Sequence, residues 1–597
     1  MSRTVAYKGY ADAVKRFDFE PSPGRERNKF LYAKKRLMTF DAGDLIPFFH
    51  MPIQPADDLN YNVRALIRLS NPLVAPLMDE IWINFFFFKS YNQFVFKDWK
   101  PFMGELIQDN PDYDTSGDNL GGQSLTDPPY VSPDEYQLPT LKITGASGTS
   151  RPFEVQSLLD QFALPYAVGN DGYTVQSLPL RHYNLIYNEY FRDENLQNFA
   201  PVPKDMGPDK LTQYQLMPST KYHDYFTASL PFLQKGPQVN IGLAGDVPVI
   251  PDPSVVPTLN VGTNVNSGLY MVSSAGLTAR LDAYNTAPGT VVNNGAALPV
   301  GHSVGFGNPT GLKAALSSSD VVSLAQIRLG FQMQRFYEGQ ARSGTRYIEY
   351  VRFMFDEYIP DVEIQRPQYI GGGKMLININ PVAQTSSSAD ENTRLATLAA
   401  FGVRFDGSAV RAHCRSREHG YVIGLMTVST TQTYQQGLQR DWSYLDRFDF
   451  YIPTLSHLAE QPILNKELVT TGISAYDNDV FGYTGRYDEY RTMFGEVTGY
   501  FRSNAMVPGT TDNVSLQAYH LSQFWDVSHP GSEQDGFPGL PHLNANFIKQ
   551  PKEVINRALG ITSNAPGVPQ FLADIVTECR GVRCISKYGI PGFADHF

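Results

Sequence analysis

Segments with strand patterns lie near both ends of the chain, and long turn-rich segments separate them. In residues 61–69, Val63 and Ile67 share one face and arginines occupy the other, which predicts a half-buried strand. Residues 80–88 are apolar on both faces, so we expect both faces to be covered. Further strand patterns occur at 45–51, 222–230, 417–430, 496–502 and 571–588. A mainly β chain forming one β-sandwich with large insertions explains this distribution better than a row of domains.

The connecting segments contain a few helices and many turns. A short helix is predicted near residues 155–162, and 179–198 carries Tyr183, Ile186, Tyr187 and Tyr190 at helical spacing. Ser323 precedes a helical pattern that runs to about Ala341. Residues 236–320 are low in charge and rich in turn residues, with a short strand candidate at 269–272. An extended segment at 360–385 surrounds three consecutive glycines.

Charge is unevenly distributed along the 597 residues, which carry a net charge of −11. Residues 1–36 are basic, whereas the rest of the chain is acidic. Aromatic and basic side chains alternate in this arm, a composition that suits contact with single-stranded nucleic acid. An arm that threads over a neighbouring subunit explains the same composition. The candidate DNA-binding residues are Arg3, Lys8, Lys15, Arg16, Arg25 and Arg27.

Catalytic, metal-binding and membrane motifs do not emerge from the sequence. The segment around Lys374 resembles a phosphate loop, but Gln368 replaces a required glycine and Met375 replaces the hydroxyl that would bind magnesium. His413 and Cys414 lack zinc-site spacing. The longest apolar run, at 81–88, is too short to span a bilayer, so we expect no membrane insertion. We therefore predict that the chain is not an enzyme, and we assign it no cofactor and no metal-ligating residues.

Aromatic and arginine side chains are candidates for subunit contacts, because they are enriched at interface centres while most charges are depleted there. Ordinary core packing is the alternative for each of them. The intersubunit candidates are Tyr187, Tyr190, Arg192, Trp442 and Phe597.

Nine segments, in order along nearly the whole chain, resemble the major capsid proteins of the Microviridae, in particular the gokushovirus branch. They include EIWINFFFFKSYNQFVFKDW at 80–99, LRHYNLIYNEYFRDENLQN at 180–198, IRLGFQMQRFYEGQARSGTRY at 327–347 and IPGFADHF at 590–597. The resemblance implies a single eight-stranded jelly roll with long loop and helix-containing insertions. It also implies a homo-oligomeric T=1 icosahedral shell around a circular single-stranded DNA genome.

The expected organisation combines both kinds of observation. Residues 1–36 are the basic arm and 37–597 the jelly-roll domain, with a loop and helix insertion at 105–221 and a variable surface insertion at 236–320. By position, the second insertion resembles an element that gathers at threefold axes and contributes to host attachment. The implied partners are minor capsid or pilot proteins, DNA-binding phage proteins and a host surface receptor. The implied location is the virion, assembled in the bacterial cytoplasm.

Two other classes of protein fit parts of the composition. A jelly-roll lectin or cupin-like module would use the aromatic and Asp/Asn-rich loops to hold sugar, but a cupin needs clustered histidine ligands that the sequence lacks. A hydrolase on a β scaffold is disfavoured by the missing catalytic constellation.

Overall fold

The computed structural model describes most of the larger secondary-structure elements and leaves gaps between several ranges of the chain. The described residues are 27–103, 136–144, 152–166, 171–237, 249–251, 259–262, 270–272, 278–280, 303–306, 312–314, 324–343, 346, 349, 352–353, 355, 360–361, 365–383, 398–456, 460–502, 516–523, 541–561 and 567–587. The chain divides into two compact units, one formed by Met1–Leu233 with Ser343–Phe597 and the other by Gln234–Arg342.

Eight antiparallel strands form the framework of the larger unit. In chain order they are β1 (Asn28–Phe40), β2 (Ile46–Ile53), β3 (Asp58–Leu69), β4 (Ile81–Tyr91), β5 (Gln368–Leu376), β6 (Leu398–Arg415), β7 (Gly420–Thr430) and β8 (Phe571–Arg583). The first strand pairs with the eighth, the second with the seventh, the third with the sixth and the fourth with the fifth. This nested pairing is the jelly-roll pattern, in which a long antiparallel ribbon wraps around one core. The mainly β fold is thereby confirmed.

The strands follow the order β1-β8-β3-β6-β5-β4-β7-β2, with one further strand, Asn378–Ala383, paired to β6. We call β1, β8, β3 and β6 half-sheet A, and β5, β4, β7 and β2 half-sheet B. The two are joined where β5 approaches β6 at Gly371 and Gly372. Gly371 has a φ of +143°, and a Cβ there would lie 2.5 Å from the Arg411 carbonyl oxygen. The glycine run therefore serves a close backbone approach and not a phosphate loop.

The core lies between the inner faces of the half-sheets. Val63 and Ile67 of β3 face Phe85 and Phe87 of β4 within one buried cluster. Alternation along β3 buries every second side chain, as the sequence pattern predicts. Phe87 lies 5.5 Å from Tyr61 in a stacked arrangement, so aromatic contacts link the two layers at this level.

The outer face of half-sheet B is covered by the chain itself. Phe88 on β4 and Ile423 and Leu425 on β7 belong to a second buried cluster, together with side chains of helix α1 (Leu178–Ile186). Residues 81–91 are therefore buried on nearly every position, which confirms the prediction that this apolar strand is covered on both faces.

Most of the remaining chain lies in two long connections, 92–367 between β4 and β5 and 431–570 between β7 and β8. The first connection includes the smaller unit. The two connections meet in a third buried cluster, where Phe226 of the first contacts Tyr434 and Phe494 of the second. The further helices in these connections are α-helices Trp99–Phe102, Leu158–Gln161, Asn465–Leu468, Ser474–Asp477, Ala545–Ile548 and Lys552–Leu559, and 3₁₀-helices Asn92–Phe94, Leu211–Gln213, Arg440–Ser443, Pro453–Leu455, Asp488–Tyr490, Gly499–Phe501 and Gln517–Tyr519. Short strand pairs are Thr140–Ile143 with Tyr173–Gln176, Glu460–Leu464 with Val480–Gly485, and Thr433–Tyr434 with Gly495–Glu496.

The smaller unit contains short hairpin-like strand pairs and helix α2 (Leu324–Ser343). Its antiparallel pairs are Val249–Pro251 with Leu312–Ala314, Leu259–Gly262 with Ser303–Phe306, and Tyr270–Val272 with Thr278–Arg280. The strand candidate at 269–272 and the helix predicted after Ser323 are confirmed. The proposal that 236–320 is a surface insertion stays a prediction.

Three sequence predictions need correction. Residues 222–230 form turns rather than a strand, because the Asp224 carboxylate accepts hydrogen bonds from the amides of Phe226 and Thr227. Residues 496–502 turn at Gly499, which has a φ of +64°. The helix predicted at 179–198 ends earlier: α1 continues as a π-turn over Tyr187–Phe191, and the Asp193 carboxylate then accepts from two following amides.

Candidate assembly and nucleic-acid surfaces

A buried ion pair links helix α1 to the segment that follows it. Arg181 is fully buried, and its guanidinium donates to both carboxylate oxygens of Asp209, at 2.9 and 2.5 Å. The Tyr214 hydroxyl donates to the same carboxylate. Burial alone would raise the pKa of Asp209, but the hydrogen bonds from Arg181 and Tyr214 outweigh it and lower that pKa. The arrangement ties α1 to the 205–214 segment, and Arg181 also donates to the Val95 carbonyl, shortly after β4, at 3.1 Å.

His182 occupies the adjacent position on α1 and is also fully buried. Its Nδ1 lies 2.8 Å from the Ser90 hydroxyl and its Nε2 3.2 Å from the Asn92 side-chain oxygen. Burial, with a smaller contribution from the Arg181 charge, lowers the pKa of His182 to about 3. The ring is therefore neutral at pH 7 and serves as a hydrogen-bonding link between α1 and the end of β4.

The two tyrosines predicted as intersubunit residues make contacts within their own chain. Tyr187 is 2% exposed, and its hydroxyl donates to Gln197. The Tyr190 hydroxyl donates to the Pro367 carbonyl, and the Arg366 guanidinium lies 4.1 Å from its ring centroid. Their intersubunit role gains no support from exposed area and stays a prediction.

Arg192 lies where the helical segment ends and is partly buried. Its guanidinium donates to the Gln197 carbonyl at 3.1 Å and lies 4.0 Å from the Glu194 carboxylate. Glu194 is also contacted by Arg346 at 2.7 Å, so the charges at this end of the segment are neutralised locally. The intersubunit assignment of Arg192 stays a prediction.

Trp442 belongs to an exposed apolar surface on the connection between β7 and β8. Its side chain is 76% exposed, and Leu445 nearby is 96% exposed. We call residues 438–451 the aromatic segment, since Phe448, Phe450 and Tyr451 are also exposed. Exposed apolar patches of this kind mark interaction sites, because solvent contact with large apolar side chains is unfavourable.

A second exposed surface is the outer face of half-sheet A, which we call the basic face. Strand alternation turns these side chains away from the core, and register places them side by side: Lys35 lies across β8 from Arg64, and Arg411 pairs with Asn62. The sequence places Lys29 and Lys35 in the basic arm, but its patterns do not show that the other basic side chains share a face with them. The exposed basic side chains of this face are Lys29, Lys35, Arg64, Arg68, Arg411, Arg415 and Arg580.

The alternation of arginines with buried residues was the available signal for the basic face. On β6, the exposed Arg411 and Arg415 lie on either side of the buried Ala412 and Cys414. On β3, the exposed Arg64 lies between the buried Val63 and Ala65. The strand partners, however, come from chain positions several hundred residues apart. Their assembly into one face therefore depends on topology.

Most of the predicted DNA-binding residues and one predicted intersubunit residue fall outside the part of the chain that the structure describes. Arg3, Lys8, Lys15, Arg16, Arg25 and Phe597 lie outside the described residues. Arg27 is described, is exposed and donates to the Ala56 carbonyl at 2.5 Å. Residues 28–36 of the predicted arm form part of β1, so this end of the arm is a strand of half-sheet A.

Among the described residues, no helix is long and apolar enough to cross a membrane. Within the same parts of the chain, no three His, Cys, Asp or Glu side chains are grouped as metal ligands would be. His413 instead contacts the Asp58 carboxylate at 2.8 Å, and Cys414 is buried in the core.

Comparison with known proteins identifies a single family. The chain matches the family described as capsid protein (F protein) over residues 21–593. It is 35% identical over 588 residues to the capsid protein VP1 of Bdellovibrio phage phiMH2K, with 97% of each chain covered. It is 34% identical over 638 residues to capsid protein VP1 of Chlamydia phage 1, again with 97% of each covered. The corresponding protein of Spiroplasma virus 4 is 28% identical over 589 residues, with 95% of each covered.

An eight-stranded β framework with exposed aromatic side chains is typical of a structural protein that associates through its surface. The chain belongs to the capsid protein (F protein) family, and it is a structural protein of a bacteriophage capsid. The resemblance to the gokushovirus branch of the Microviridae is confirmed.

Proposed function

We propose that copies of this chain assemble into a T=1 icosahedral shell that encloses a circular single-stranded DNA genome. The observation that carries the proposal is the exposure of the aromatic segment, with Trp442 and Leu445 largely uncovered in the single chain. A capsid protein contacts copies of itself, and a neighbouring copy would remove this apolar surface from water. Each specific contact needs to bury about 1,000 Å² or more.

Several further elements of the proposal come from the sequence and from the family resemblance. The basic arm, with Arg3, Lys8, Lys15, Arg16, Arg25 and Arg27, lies against the enclosed DNA. Tyr187, Tyr190, Arg192, Trp442 and Phe597 are proposed intersubunit residues, of which Trp442 is the best supported because of its exposure. The 236–320 insertion gathers at threefold axes and contributes to attachment to a host surface receptor. Minor capsid or pilot proteins and DNA-binding phage proteins join the shell, which assembles in the host cytoplasm.

Electron microscopy of shells formed by the full chain tests the assembly proposal. We expect uniform closed particles from the unmodified chain and a loss of most particles from Leu445→Ser combined with Trp442→Ser. The matched control is Met78→Ser, because Met78 is 70% exposed but lies outside the aromatic segment. Thermal unfolding of the single chains establishes that each variant is folded. A folded double variant that forms as many particles as the control contradicts the proposed role of the aromatic segment, and an unmodified chain that stays monomeric under all conditions contradicts shell formation.

A further inference from the structure

The basic face differs in charge from the chain as a whole. The protein carries a net charge of −11, yet on the basic face the basic side chains outnumber the carboxylates. Among the side chains of this face that the structure describes, the carboxylates are Asp58, Asp574 and Glu578. A local excess of positive charge on an acidic protein attracts polyanions and repels other copies of the same surface.

Ion pairing neutralises part of the basic face. Lys35 contacts Asp574 at 2.9 Å, and Arg64 and Arg580 share the Glu578 carboxylate at 2.9 and 3.2 Å. Within the described residues, no carboxylate lies within ion-pair distance of the remaining four basic side chains. These are Lys29, Arg68, Arg411 and Arg415. They lie on β1, β3 and β6, so the unneutralised charge extends across the width of half-sheet A.

Apolar side chains lie between these charges. An open groove of about 650 Å³ is lined by three leucines together with charged side chains of both signs, namely Leu37, Leu66, Leu572, Arg36, Arg68, Asp160 and Asp574. Leu37 is 73% exposed, although the next residue of the same strand, Met38, is buried in the core. An exposed leucine beside arginines provides apolar contact together with positive charge.

The chemistry of this combination fits single-stranded nucleic acid. Lysine and arginine neutralise phosphates, and unpaired bases present apolar faces that a duplex keeps stacked inside. The outward side chains are mostly cations and aliphatic groups, and phosphate contact and apolar contact with a base face are available for every base. Binding would therefore depend on charge and on single-strandedness but not on sequence.

We propose that the basic face binds single-stranded nucleic acid without sequence preference, and that half-sheet A is the side of the jelly roll turned towards the genome. The inference rests on the proposed enclosure of single-stranded DNA and adds to it a surface other than the N-terminal arm. It also assigns a direction to the fold, because half-sheet B is covered by insertions and has no comparable open face among the described residues.

Binding of a fluorescently labelled oligothymidylate to the full chain at several salt concentrations tests the proposal. Neutralising the four unpaired cations together (Lys29→Gln, Arg68→Gln, Arg411→Gln, Arg415→Gln) should weaken binding and make the salt dependence shallower. Removal of one phosphate-binding cation reduces the slope of log K against log salt by about 0.7, so a reduction approaching 3 is expected if all four cations bind phosphates. Thermal unfolding establishes that the variant is folded.

Two controls separate charge placement from total charge. The variant Lys97→Gln, Lys100→Gln, Lys142→Gln, Lys210→Gln changes the net charge equally at exposed positions elsewhere and should retain the slope of the unmodified chain. The variant Arg68→Lys, Arg411→Lys, Arg415→Lys keeps the charges and should also retain it. Equal slopes for the basic-face variant and the first control overturn the proposal, because binding then follows net charge or the arm alone.

Different outcomes contradict the proposed function and this inference. If the unmodified chain forms no shells, enclosure of a genome is contradicted, and the slopes still decide whether the basic face binds nucleic acid. If all variants form shells but the slopes do not differ, the shell proposal stands and the basic-face proposal is wrong.

Discussion

The two half-sheets of the jelly roll share one core but differ on their outer faces. On half-sheet B, Phe88, Ile423 and Leu425 point outward and are buried beneath α1 and the segments around it. On half-sheet A, Leu66 and its arginine neighbours point outward and remain exposed. One face is therefore completed by the chain itself, and the other is left for a partner. The same strand geometry supports stability on one side and binding on the other.

The largest difference should appear when charge is removed from each face. Arg181 on α1 is fully buried with Asp209, whereas Arg64 on the basic face pairs with Glu578 while 48% exposed. Arg181→Met leaves a buried carboxylate without its partner and should cost about 3–5 kcal/mol. Arg64→Met should cost at most about 1 kcal/mol, because water solvates the remaining carboxylate.

Urea unfolding followed by tryptophan fluorescence measures both variants against the unmodified chain. The double variant Arg181→Met, Asp209→Leu is the informative control, since it removes the unpaired charge and should recover part of the loss. Equal losses for Arg181→Met and Arg64→Met would contradict the distinction between the covered and the open face.

Apolar truncation should distinguish the faces next. Ile423→Ala removes a fully buried side chain from the contact between β7 and the covering segments and should cost about 3 kcal/mol. Leu66→Ala removes a side chain that is 41% exposed and should cost about 0.5 kcal/mol or less. The unfolding midpoints in urea provide the comparison, and a Leu66→Ala loss as large as that of Ile423→Ala would show that the basic face is covered in solution.

Acidification should weaken the covered face through His182. Its pKa in the folded chain is about 3, below the value of about 6.5 expected when unfolded, so the unfolded chain binds the proton more tightly. Stability from this group is complete above pH 6.5 and falls as the pH drops towards 3, by about 1.4 kcal/mol per unit. Between pH 6.5 and 5 the expected loss is about 2 kcal/mol.

His50 contributes in the same direction, because burial and the charges of Lys34 and Arg36 lower its pKa to about 4. Urea unfolding at several pH values measures the combined slope, and His182→Gln should make it shallower by one group's share. A slope unchanged in that variant would show that His182 is not the group that titrates.

Sequence patterns predicted the main strands of both half-sheets, but they did not predict the turn at Asp224 or the grouping of the basic side chains. The alternation of Val63 and Arg64 and the doubly apolar run at 81–88 gave the correct burial, because each is a local consequence of strand geometry. The turn at Asp224 was missed because a single side-chain acceptor outweighed the strand propensity of Tyr225 and Phe226. The basic face was missed because strand pairing over long sequence separations brings Arg68, Arg411 and Lys29 onto one face of the sheet.

Among these substitutions, removal of a carboxylate from the basic face should have the smallest effect on the free energy of unfolding. Asp574 pairs with Lys35, which is 61% exposed, so Asp574→Asn should change stability by less than about 1 kcal/mol, in contrast to a substitution at the buried Asp209. The same change frees Lys35 and removes a negative charge beside the groove, so oligothymidylate should bind more tightly and with a slightly steeper salt dependence.

The matched control is Asp205→Asn, on an exposed carboxylate beside Arg181 and away from half-sheet A. Tighter binding in both variants to the same extent would attribute the effect to net charge, whereas tighter binding in Asp574→Asn alone locates the nucleic acid on the open face.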